Sequence, residues 1–400
     1  MVKVAVLGYG TIGSGVVQVL NTSKDIVTRN AGTEVEVKYV LDLRDFPGDP
    51  VEEILVHDYA RIVNDPEVDI VVEVMGGTHP AYEFVKDALL KGKNVCTSNK
   101  ALVAEFGPEL VRIAREKSVN FLFEASVGGG IPIIRPILRS LTVDTFYEIT
   151  GILNGTTNYI LTKMYDEGGS FEEALKEAQA LGYAEADPSA DVDGYDAARK
   201  IAILSGLMYG KNLDFEQLSI EGIRNISKID MDYAKFLGKK IKLLGITYNI
   251  NGEIYTEVAP HMIGPENKLY NVDDVKNGIE LKGNLLGDTM FYGAGAGKLP
   301  TASAVVSDII DEAKHLHTNI PILWSDEPVV LAERGRHKSK FFVRVDRDCN
   351  VIKNIFDLEQ LVTLPDYQDE YAVVTAEMTF AEFYDKIGNK EHVRSIVQVK

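Results

Sequence analysis

Short runs of apolar and β-branched residues alternate with helical patterns in the first part of the chain. The apolar runs predict strands at 2–7, 34–41, 69–74, 94–97 and 120–123. Apolar positions at helical spacing predict helices at 11–20, 82–91 and 108–117, the last of which would begin at Pro108. Alternation of this kind is typical of β-α-β units around a parallel sheet. We therefore predict a doubly wound, Rossmann-like α/β domain over residues 1–145.

The second part of the chain has a mixed pattern. Helical spacing at 159–166, 171–181 and 195–207 is followed by alternating strands at 241–249 and 254–260. This mixture predicts an inserted α+β domain over residues 146–299. A helix at 301–315 comes after these strands, so residues from about 300 to 330 are expected to complete the first domain. Strand patterns at 341–345, 371–375 and 393–399 predict a small β-rich tail over 335–400.

Composition excludes several classes of function. The 400 residues carry a formal net charge of −18, whereas nucleic-acid binding depends on Lys and Arg clusters that neutralise phosphates. The two cysteines have no His or Cys companions at metal-ligand spacing, which argues against a disulfide framework or a zinc site. The chain opens on an apolar strand pattern, and no stretch is apolar enough to span a bilayer. We therefore expect a cytoplasmic protein without a membrane partner.

A glycine-rich turn joins the first predicted strand to the first predicted helix. Its sequence is Gly8-Tyr9-Gly10-Thr11-Ile12-Gly13. A GxGxxG in this context binds the pyrophosphate of a dinucleotide at the helix N-terminus, although the same turn can exist without a ligand. Asp42 follows the second strand, where a carboxylate would bind the ribose hydroxyls of NAD, while Arg44 would suit the 2′-phosphate of NADP. Both residues can also be solvated loop charges.

The predicted helix at 195–207 carries charges in line with apolar positions. Asp196 and Lys200 share a face with Ile203 and Leu207. Charges on a core-facing stripe are paired or functional, although an ordinary surface ion pair has the same spacing. Carboxylates also crowd the preceding segment, at Glu185, Asp187 and Asp191. Several carboxylates around one small pocket suit a substrate with a cationic group, such as the ammonium group of an amino acid.

Four segments together make the chain resemble the homoserine dehydrogenases, namely Glu73-Val74-Met75-Gly76-Gly77, Thr97-Ser98-Asn99-Lys100-Ala101, Gly155-Thr156-Thr157-Asn158-Tyr159 and Gly182-Tyr183-Ala184-Glu185-Ala186-Asp187-Pro188. The resemblance extends to about residue 325. It implies an oxidoreductase that acts on a CH–OH group and reversibly reduces L-aspartate 4-semialdehyde to L-homoserine with NAD or NADP. It also implies a role in threonine and methionine biosynthesis, a substrate-binding and dimerisation domain, and a homodimer or larger homo-oligomer.

The resemblance also assigns roles to individual residues. Lys200 and Lys100 would be the ionisable groups at the reacting carbon, in roles that can be exchanged, and Asp196 would orient Lys200. Glu185 and Asp191 would bind the amino or hydroxyl end of the substrate. Further expected contacts are Thr156 and Tyr183 in the substrate pocket, and Thr78, Lys100 and Gly297 near the nicotinamide.

The segment from Glu124 to Pro132 resembles the part of the family that holds a monovalent cation, Na⁺ or K⁺. Glu124 would contribute its carboxylate, and Val127, Gly129 and Ile131 would contribute backbone carbonyls, because hard cations prefer oxygen ligands. A glycine-rich hinge is the alternative interpretation of the same residues.

The tail departs from the family pattern. Many bacterial members end in an ACT domain that senses threonine, but residues 347–352 lack its Pro-Gly turn. We predict a divergent ACT-like module used for packing or assembly. Two other functions remain as alternatives. An aspartate semialdehyde dehydrogenase would need an activated cysteine, and a catalytically silent sensor would bind a dinucleotide or an amino acid without turnover.

Overall fold

The computed structural model describes residues 1–349, 351–388 and 391–400, and it divides the chain into two compact units. The first unit comprises Met1–Val143, Ala202–Phe215 and Gly293–Val329, and the second comprises Asp144–Ile201, Glu216–Tyr292 and Val330–Lys400. The segment that follows the inserted strands thus belongs to the first unit. The tail, which the sequence suggested as a module of its own, belongs to the second.

The elements alternate as predicted up to residue 143. In chain order they are β1 (Val2–Leu7), α1 (Thr11–Thr22), α2 (Lys24–Ala31), β2 (Val35–Leu41), β3 (Leu55–Val56), α3 (Tyr59–Val63), β4 (Ile70–Glu73), α4 (Ala81–Leu90), β5 (Asn94–Thr97), α5 (Lys100–Glu116) and β6 (Phe121–Leu122).

The remaining elements are β7 (Phe146–Ile152), α6 (Gly155–Glu167), α7 (Phe171–Ala180), α8 (Ser189–Val192), α9 (Tyr195–Tyr209), β8 (Ser219–Ile220), α10 (Lys228–Phe236), β9 (Lys240–Ile250), β10 (Glu253–Ile263), β11 (Lys276–Gly283), β12 (Gly287–Ala294), α11 (Lys298–Lys314), β13 (Lys338–Asp346), α12 (Ile352–Ile355), β14 (Leu358–Val362), β15 (Glu370–Thr375), β16 (Met378–Thr379), α13 (Phe380–Ile387) and β17 (Val393–Val399). Among the described residues, no helix is long and apolar enough to cross a membrane.

The first unit is built on a six-stranded parallel sheet. Its strand order is β3-β2-β1-β4-β5-β6, and every pair along it is parallel. The central strands β1, β4 and β5 are almost entirely buried, as expected for strands covered by helices on both faces. This order confirms the predicted Rossmann-like fold, in which ligands bind beyond the carboxyl ends of the strands.

Helix α5 corrects one sequence prediction. We expected a helix to begin at Pro108, but α5 begins at Lys100 and contains Pro108 in its interior. The start is set by Asn99, whose side-chain oxygen accepts a hydrogen bond from the backbone of Leu102, as an N-cap residue does. Lys100 therefore lies in the first turn of a helix at the carboxyl edge of the sheet.

The second unit is built on one mixed sheet. Its main path runs β12-β11-β7-β9-β10-β17-β13-β15-β14. The tail enters this sheet through the parallel pairing of β17 with β10, where Gln398 lies opposite His261. A buried Arg344 also joins the tail to α10, because its guanidinium donates to Asp230 at 3.1 Å and to Glu370 at 2.9 Å. These contacts explain why the tail belongs to the second unit.

Candidate functional site

The glycine-rich turn after β1 has the geometry of a dinucleotide loop. Gly8 has a φ of +98°, which favours glycine. A Cβ atom on Gly13 would lie 1.9 Å from the carbonyl oxygen of Gly8, whereas a Cβ atom on Gly10 would meet no atom within 4 Å. Gly13 thus allows α1 to pack closely, and Gly10 leaves open space beside the N-terminus of α1. An open helix N-terminus after a glycine turn is the arrangement that binds a pyrophosphate in dinucleotide-binding folds.

Asp42 and Arg44 form an ion pair beside this loop. The guanidinium of Arg44 donates to both carboxylate oxygens of Asp42 at 2.9 Å, and the backbone amide of Tyr9 donates to Asp42 at 2.8 Å. The Arg44 guanidinium holds the pKa of the Asp42 carboxyl well below its usual range. The two candidate ribose-end residues are therefore paired with each other, and Asp42 is mostly buried while the Arg44 side chain is exposed.

A buried carboxylate organises the loops after β4 and β5. Glu73 is fully buried and accepts hydrogen bonds from the backbone of Met75 at 2.8 Å and from the hydroxyl of Thr97 at 2.6 Å. Thr97 in turn accepts a hydrogen bond from the backbone of Asn99 at 2.9 Å. Burial raises the pKa of Glu73. This network fixes the backbone just before Lys100.

The residues expected near the nicotinamide all belong to the first unit. They are Thr78 in the loop after β4, Lys100 at the start of α5 and Gly297 just before α11. The amide of Asn99 donates to the carbonyl of Gly77 at 2.6 Å and so ties the loop that leads to Thr78 to the start of α5. Lys100 and Thr78 are half-buried. Gly297 precedes α11 with a φ of +115°, which favours glycine.

Lys200 and Asp196 form a buried ion pair on α9. The Nζ atom of Lys200 lies 2.8 Å from Oδ2 of Asp196 and 2.8 Å from the carbonyl oxygen of Leu153. Both residues are buried, with 10% of the Lys200 side chain and 3% of the Asp196 side chain exposed. The alternative interpretation, an ordinary surface ion pair, is therefore wrong, because a surface pair would be solvated. A lysine buried with a carboxylate in reach is a group that can hold or transfer a proton.

Asn154 is a residue of this cluster that the sequence reading missed. It directly precedes α6, and its amide donates to Asp191 at 2.7 Å and to Asp196 at 2.8 Å. A signal was available, because an Asn immediately before a helix is a typical N-cap and its oxygen accepts from the backbone of Thr157. That signal identifies the cap but not the two carboxylates.

The other predicted substrate residues lie on the segments after α7 and at the start of α6. The hydroxyl of Thr156 donates to the carbonyl of Tyr183 at 2.6 Å, and the Tyr183 ring packs edge-on against Tyr159. Glu185 is exposed, and its carbonyl accepts a hydrogen bond from Gln179. The structure thus brings Thr156 and Tyr183 together, and Asp191 joins Asp196 through Asn154.

The candidate cation segment is held by its own carboxylate. The Glu124 side chain accepts hydrogen bonds from the backbone amides of Ile133, Ile134 and Arg135 at 2.6–2.9 Å. Among the described residues, no group of three or more His, Cys, Asp or Glu residues is arranged to hold a metal ion. Within the same part of the chain, no backbone amide outside the helices and strands donates to the carbonyls of Val127, Gly129 or Ile131. Backbone carbonyls are oxygen donors of the kind that a hard cation takes.

Neither cysteine has the setting of a nucleophile. Cys96 is fully buried in β5, and burial raises the pKa of its thiol well above the ordinary value. Cys349 lies in the tail of the second unit. A reactive cysteine is accessible and has a lowered pKa, so the structure gives no support to the semialdehyde dehydrogenase alternative.

Comparisons with known proteins identify one family. A family model described as homoserine dehydrogenase matches residues 132–310, and one described as the homoserine dehydrogenase NAD binding domain matches residues 8–124. The homoserine dehydrogenase of Bacillus subtilis is 42% identical over 423 residues, which cover 100% of this chain and 97% of the relative.

Solved structures give the same result. The crystal structure of a homoserine dehydrogenase from Thiobacillus denitrificans has a TM-score of 0.91 at 35% identity and covers 100% of this chain and 98% of its own. A hyperthermophilic archaeal homoserine dehydrogenase in complex with NADPH has a TM-score of 0.69 at 29% identity, with 80% of this chain and 99% of that chain covered.

Proposed function

The chain belongs to the homoserine dehydrogenase family, and we propose that it interconverts L-homoserine and L-aspartate 4-semialdehyde with Lys200 as the proton-transferring group. It is an oxidoreductase with an NAD(P)-binding domain. The observation that carries the proposal is the buried Lys200–Asp196 pair, since a buried lysine that is held by a carboxylate and a carbonyl is oriented for proton transfer.

In the reducing direction, the carbonyl oxygen of the semialdehyde becomes an alkoxide and needs a proton. The ammonium of Lys200 donates it, and Asp196 keeps the ammonium oriented and charged until then. The nicotinamide supplies the hydride when the dinucleotide is bound. Lys100, in the first turn of α5, is the second candidate for holding the reacting oxygen or sharing the proton, and the two lysines can exchange these roles.

The substrate's ammonium group needs carboxylates, and Asp191 and Glu185 are proposed to bind it. Asp191 is supported by its place in the Asn154 cluster. Glu185 is supported by its exposure on the segment that carries Tyr183. Thr156 and Tyr183 are proposed to line the pocket, and Thr78 and Gly297 to lie near the nicotinamide.

At the cofactor loop, Gly8, Gly10, Thr11, Ile12 and Gly13 are proposed to hold the pyrophosphate. Asp42 and Arg44 are proposed to decide between the two dinucleotides. With the Arg44 guanidinium paired to Asp42, the ribose end presents both a carboxylate for hydroxyls and a cation for a phosphate. The pair is therefore compatible with NAD and with NADP.

The carbonyls of Val127, Gly129 and Ile131, near Glu124, are proposed to hold Na⁺ or K⁺. A homodimer, a cytoplasmic location and a place in threonine and methionine biosynthesis are proposed from the family. The tail stays predicted to be ACT-like. It pairs with the sheet of the second unit, and this pairing does not identify an ACT domain.

The test is an absorbance assay of reduced nicotinamide with L-homoserine and NAD, then NADP, each with and without added Na⁺, K⁺ and L-threonine. We expect the reduced-nicotinamide band to grow with L-homoserine. A flat trace from folded protein that still binds the dinucleotide would contradict the proposed substrate and favour the silent sensor.

A further inference from the structure

The side chain of Asn154 uses all of its hydrogen-bonding capacity. Its amide nitrogen serves the two carboxylates near Lys200, and its oxygen serves the start of α6. Its Nδ2 atom donates to Oδ1 of Asp191 at 2.7 Å and to Oδ2 of Asp196 at 2.8 Å. Its Oδ1 atom accepts from the backbone and from the hydroxyl of Thr157, at 2.8 and 3.0 Å. An amide has two hydrogens to donate, so these contacts leave it one orientation.

The two carboxylates that Asn154 joins have different tasks. Asp196 accepts a hydrogen bond from Lys200 on the same Oδ2 atom that accepts from Asn154. Asp191 belongs to the acidic segment proposed to bind the substrate. Two carboxylates at hydrogen-bond distance from one nitrogen repel each other, and this repulsion is strong in a buried setting. The amide separates them and screens the repulsion with one donated hydrogen for each.

We propose that Asn154 is a positioning residue, which fixes the substrate carboxylate Asp191 and the lysine partner Asp196 relative to each other through a single amide. This inference rests on the proposed function for the roles of Asp191 and Lys200. The N-cap of α6 anchors the amide from the other side, so the helix start and the ionised cluster share one side chain. Asn154 itself touches no reacting atom.

Substitutions can separate the two tasks of Asn154, which caps α6 and bridges the carboxylates of Asp191 and Asp196. In Asn154→Ser the hydroxyl still caps α6, because serine is a good N-cap, but it is too short to reach both carboxylates. Asn154→Asp keeps the size and the cap and replaces the two donated hydrogens with a third carboxylate. Ser170→Ala is the matched control, because it removes the N-cap of α7 in the same unit without touching the cluster.

The first readout is kinetic. In Asn154→Ser and Asn154→Asp we expect kcat to fall by about ten- to a hundredfold, since small misplacements at a reacting centre have effects of this size. We also expect KM for L-homoserine to rise and the dissociation constant of the dinucleotide to stay unchanged. Ser170→Ala should keep all three. Asn154 variants with wild-type kcat and KM would overturn the proposal.

The second readout does not depend on turnover. Acetic anhydride labels lysines according to their accessibility and charge, and mass spectrometry gives the labelling of Lys200 relative to the exposed Lys235 of α10. We expect Lys200 to label faster in Asn154→Ser, because Asp196 is no longer held in place once the bridge is lost. It should label more slowly in Asn154→Asp, because the added carboxylate favours the unreactive ammonium form, and as in the wild type in Ser170→Ala. Unchanged Lys200 labelling would overturn the positioning role. A wild-type protein without turnover would instead overturn the proposed function, and the labelling would still decide the role of Asn154.

Discussion

The Nζ atom of Lys200 lies 2.8 Å from Oδ2 of Asp196, one turn earlier on α9, and both side chains are buried. A second lysine, Lys228, makes the same kind of pair with Asp232 at 2.9 Å, but its side chain is half exposed. Both pairs span four residues, although the lysine comes first in the second pair, and the two environments differ. Burial therefore distinguishes the candidate catalytic lysine from a surface ion pair, whose contribution to stability is small.

Replacing Lys200 should remove turnover and leave dinucleotide binding. We expect Lys200→Ala and Lys200→Met to lower kcat by about a hundredfold to ten-thousandfold, the range of general acid–base catalysis. The dissociation constant of the dinucleotide should not change, because the glycine-rich turn belongs to the first unit. Steady-state kinetics and fluorescence titration measure the two effects.

The control for this prediction is Lys228→Ala, which removes the surface pair and should keep kcat. Loss of Lys200 leaves Asp196 buried without its cation, at a cost of about 3–5 kcal/mol, so circular dichroism must show that each variant is folded. A folded Lys200→Met protein with wild-type turnover would remove Lys200 from the mechanism.

Two glycines of the dinucleotide loop should behave differently when replaced by alanine. Gly10 has a φ of −79° and open space around its missing Cβ, so Gly10→Ala should fold normally and weaken dinucleotide binding by about tenfold, or about 1.4 kcal/mol. A Cβ at Gly13 would collide with Gly8, so Gly13→Ala should lower the free energy of unfolding by about 1–3 kcal/mol. Calorimetric titration and urea unfolding distinguish them. Equal dinucleotide affinity in Gly10→Ala and the wild type would argue against a pyrophosphate at this turn.

The ion pair between Asp42 and Arg44 should control cofactor preference. In Asp42→Ser the guanidinium loses its carboxylate partner and becomes available to a 2′-phosphate. A charge-assisted hydrogen bond contributes about 1.5–3 kcal/mol, so the ratio of kcat/KM for NADP over NAD should rise about tenfold or more. Asp45→Ser, at an exposed position nearby, should leave the ratio unchanged. The ribose role of Asp42 is wrong if both variants keep the wild-type ratio.

A buried acid on α11 should make stability depend on pH. Glu312 is fully buried, and neither of its carboxyl oxygens has a hydrogen-bond partner among the described residues. Burial raises its pKa well above the ordinary value of 4.5. The folded protein therefore keeps this proton while the unfolded chain loses it as the pH rises above 4.5, so the folded state loses stability with rising pH.

Glu312→Gln removes this titration. The free energy of unfolding of the variant minus that of the wild type should increase with pH above 4.5, by about 1.4 kcal/mol per pH unit until the raised pKa is reached. Urea unfolding at several pH values measures the difference, and values below the ordinary pKa serve as the reference. A difference that stays constant with pH would show that Glu312 is ionised in the folded protein.

Local pattern was enough to predict the type and position of several elements. β5 and β17 have the predicted bounds, and α9 runs from the predicted start to Tyr209, slightly beyond the predicted end at Leu207. Each has β-branched or apolar residues at the spacing of its element, because strands and helices in these positions face a core on at least one side. The glycine-rich turn after β1 was also predictable, because its residue types follow from its backbone conformation.

Other features depend on contacts between distant residues. The start of α5 was missed because a proline usually marks a first turn, whereas Pro108 lies inside this helix and Asn99 caps its start. Asn154 was missed because its two acceptors come from segments far along the chain, and no local spacing shows them. Weakly alternating strands such as β11 and β12 contain glycines and polar residues, so their pattern indicates a loop as readily as a strand.

The parallel pairing of β17 with β10 limits how this enzyme can be recombined with its relatives. A regulatory module on a flexible linker can be exchanged as a cassette, with the fusion point placed anywhere in the linker. Here the incoming segment must supply a strand that hydrogen-bonds beside His261 in the register that Gln398 now occupies. It must also supply an arginine at the position of Arg344, because Asp230 would otherwise be a buried anion without its counterion. A functional chimera therefore has to be designed as a strand inside a shared sheet, between β10 and β13, and not as a simple fusion.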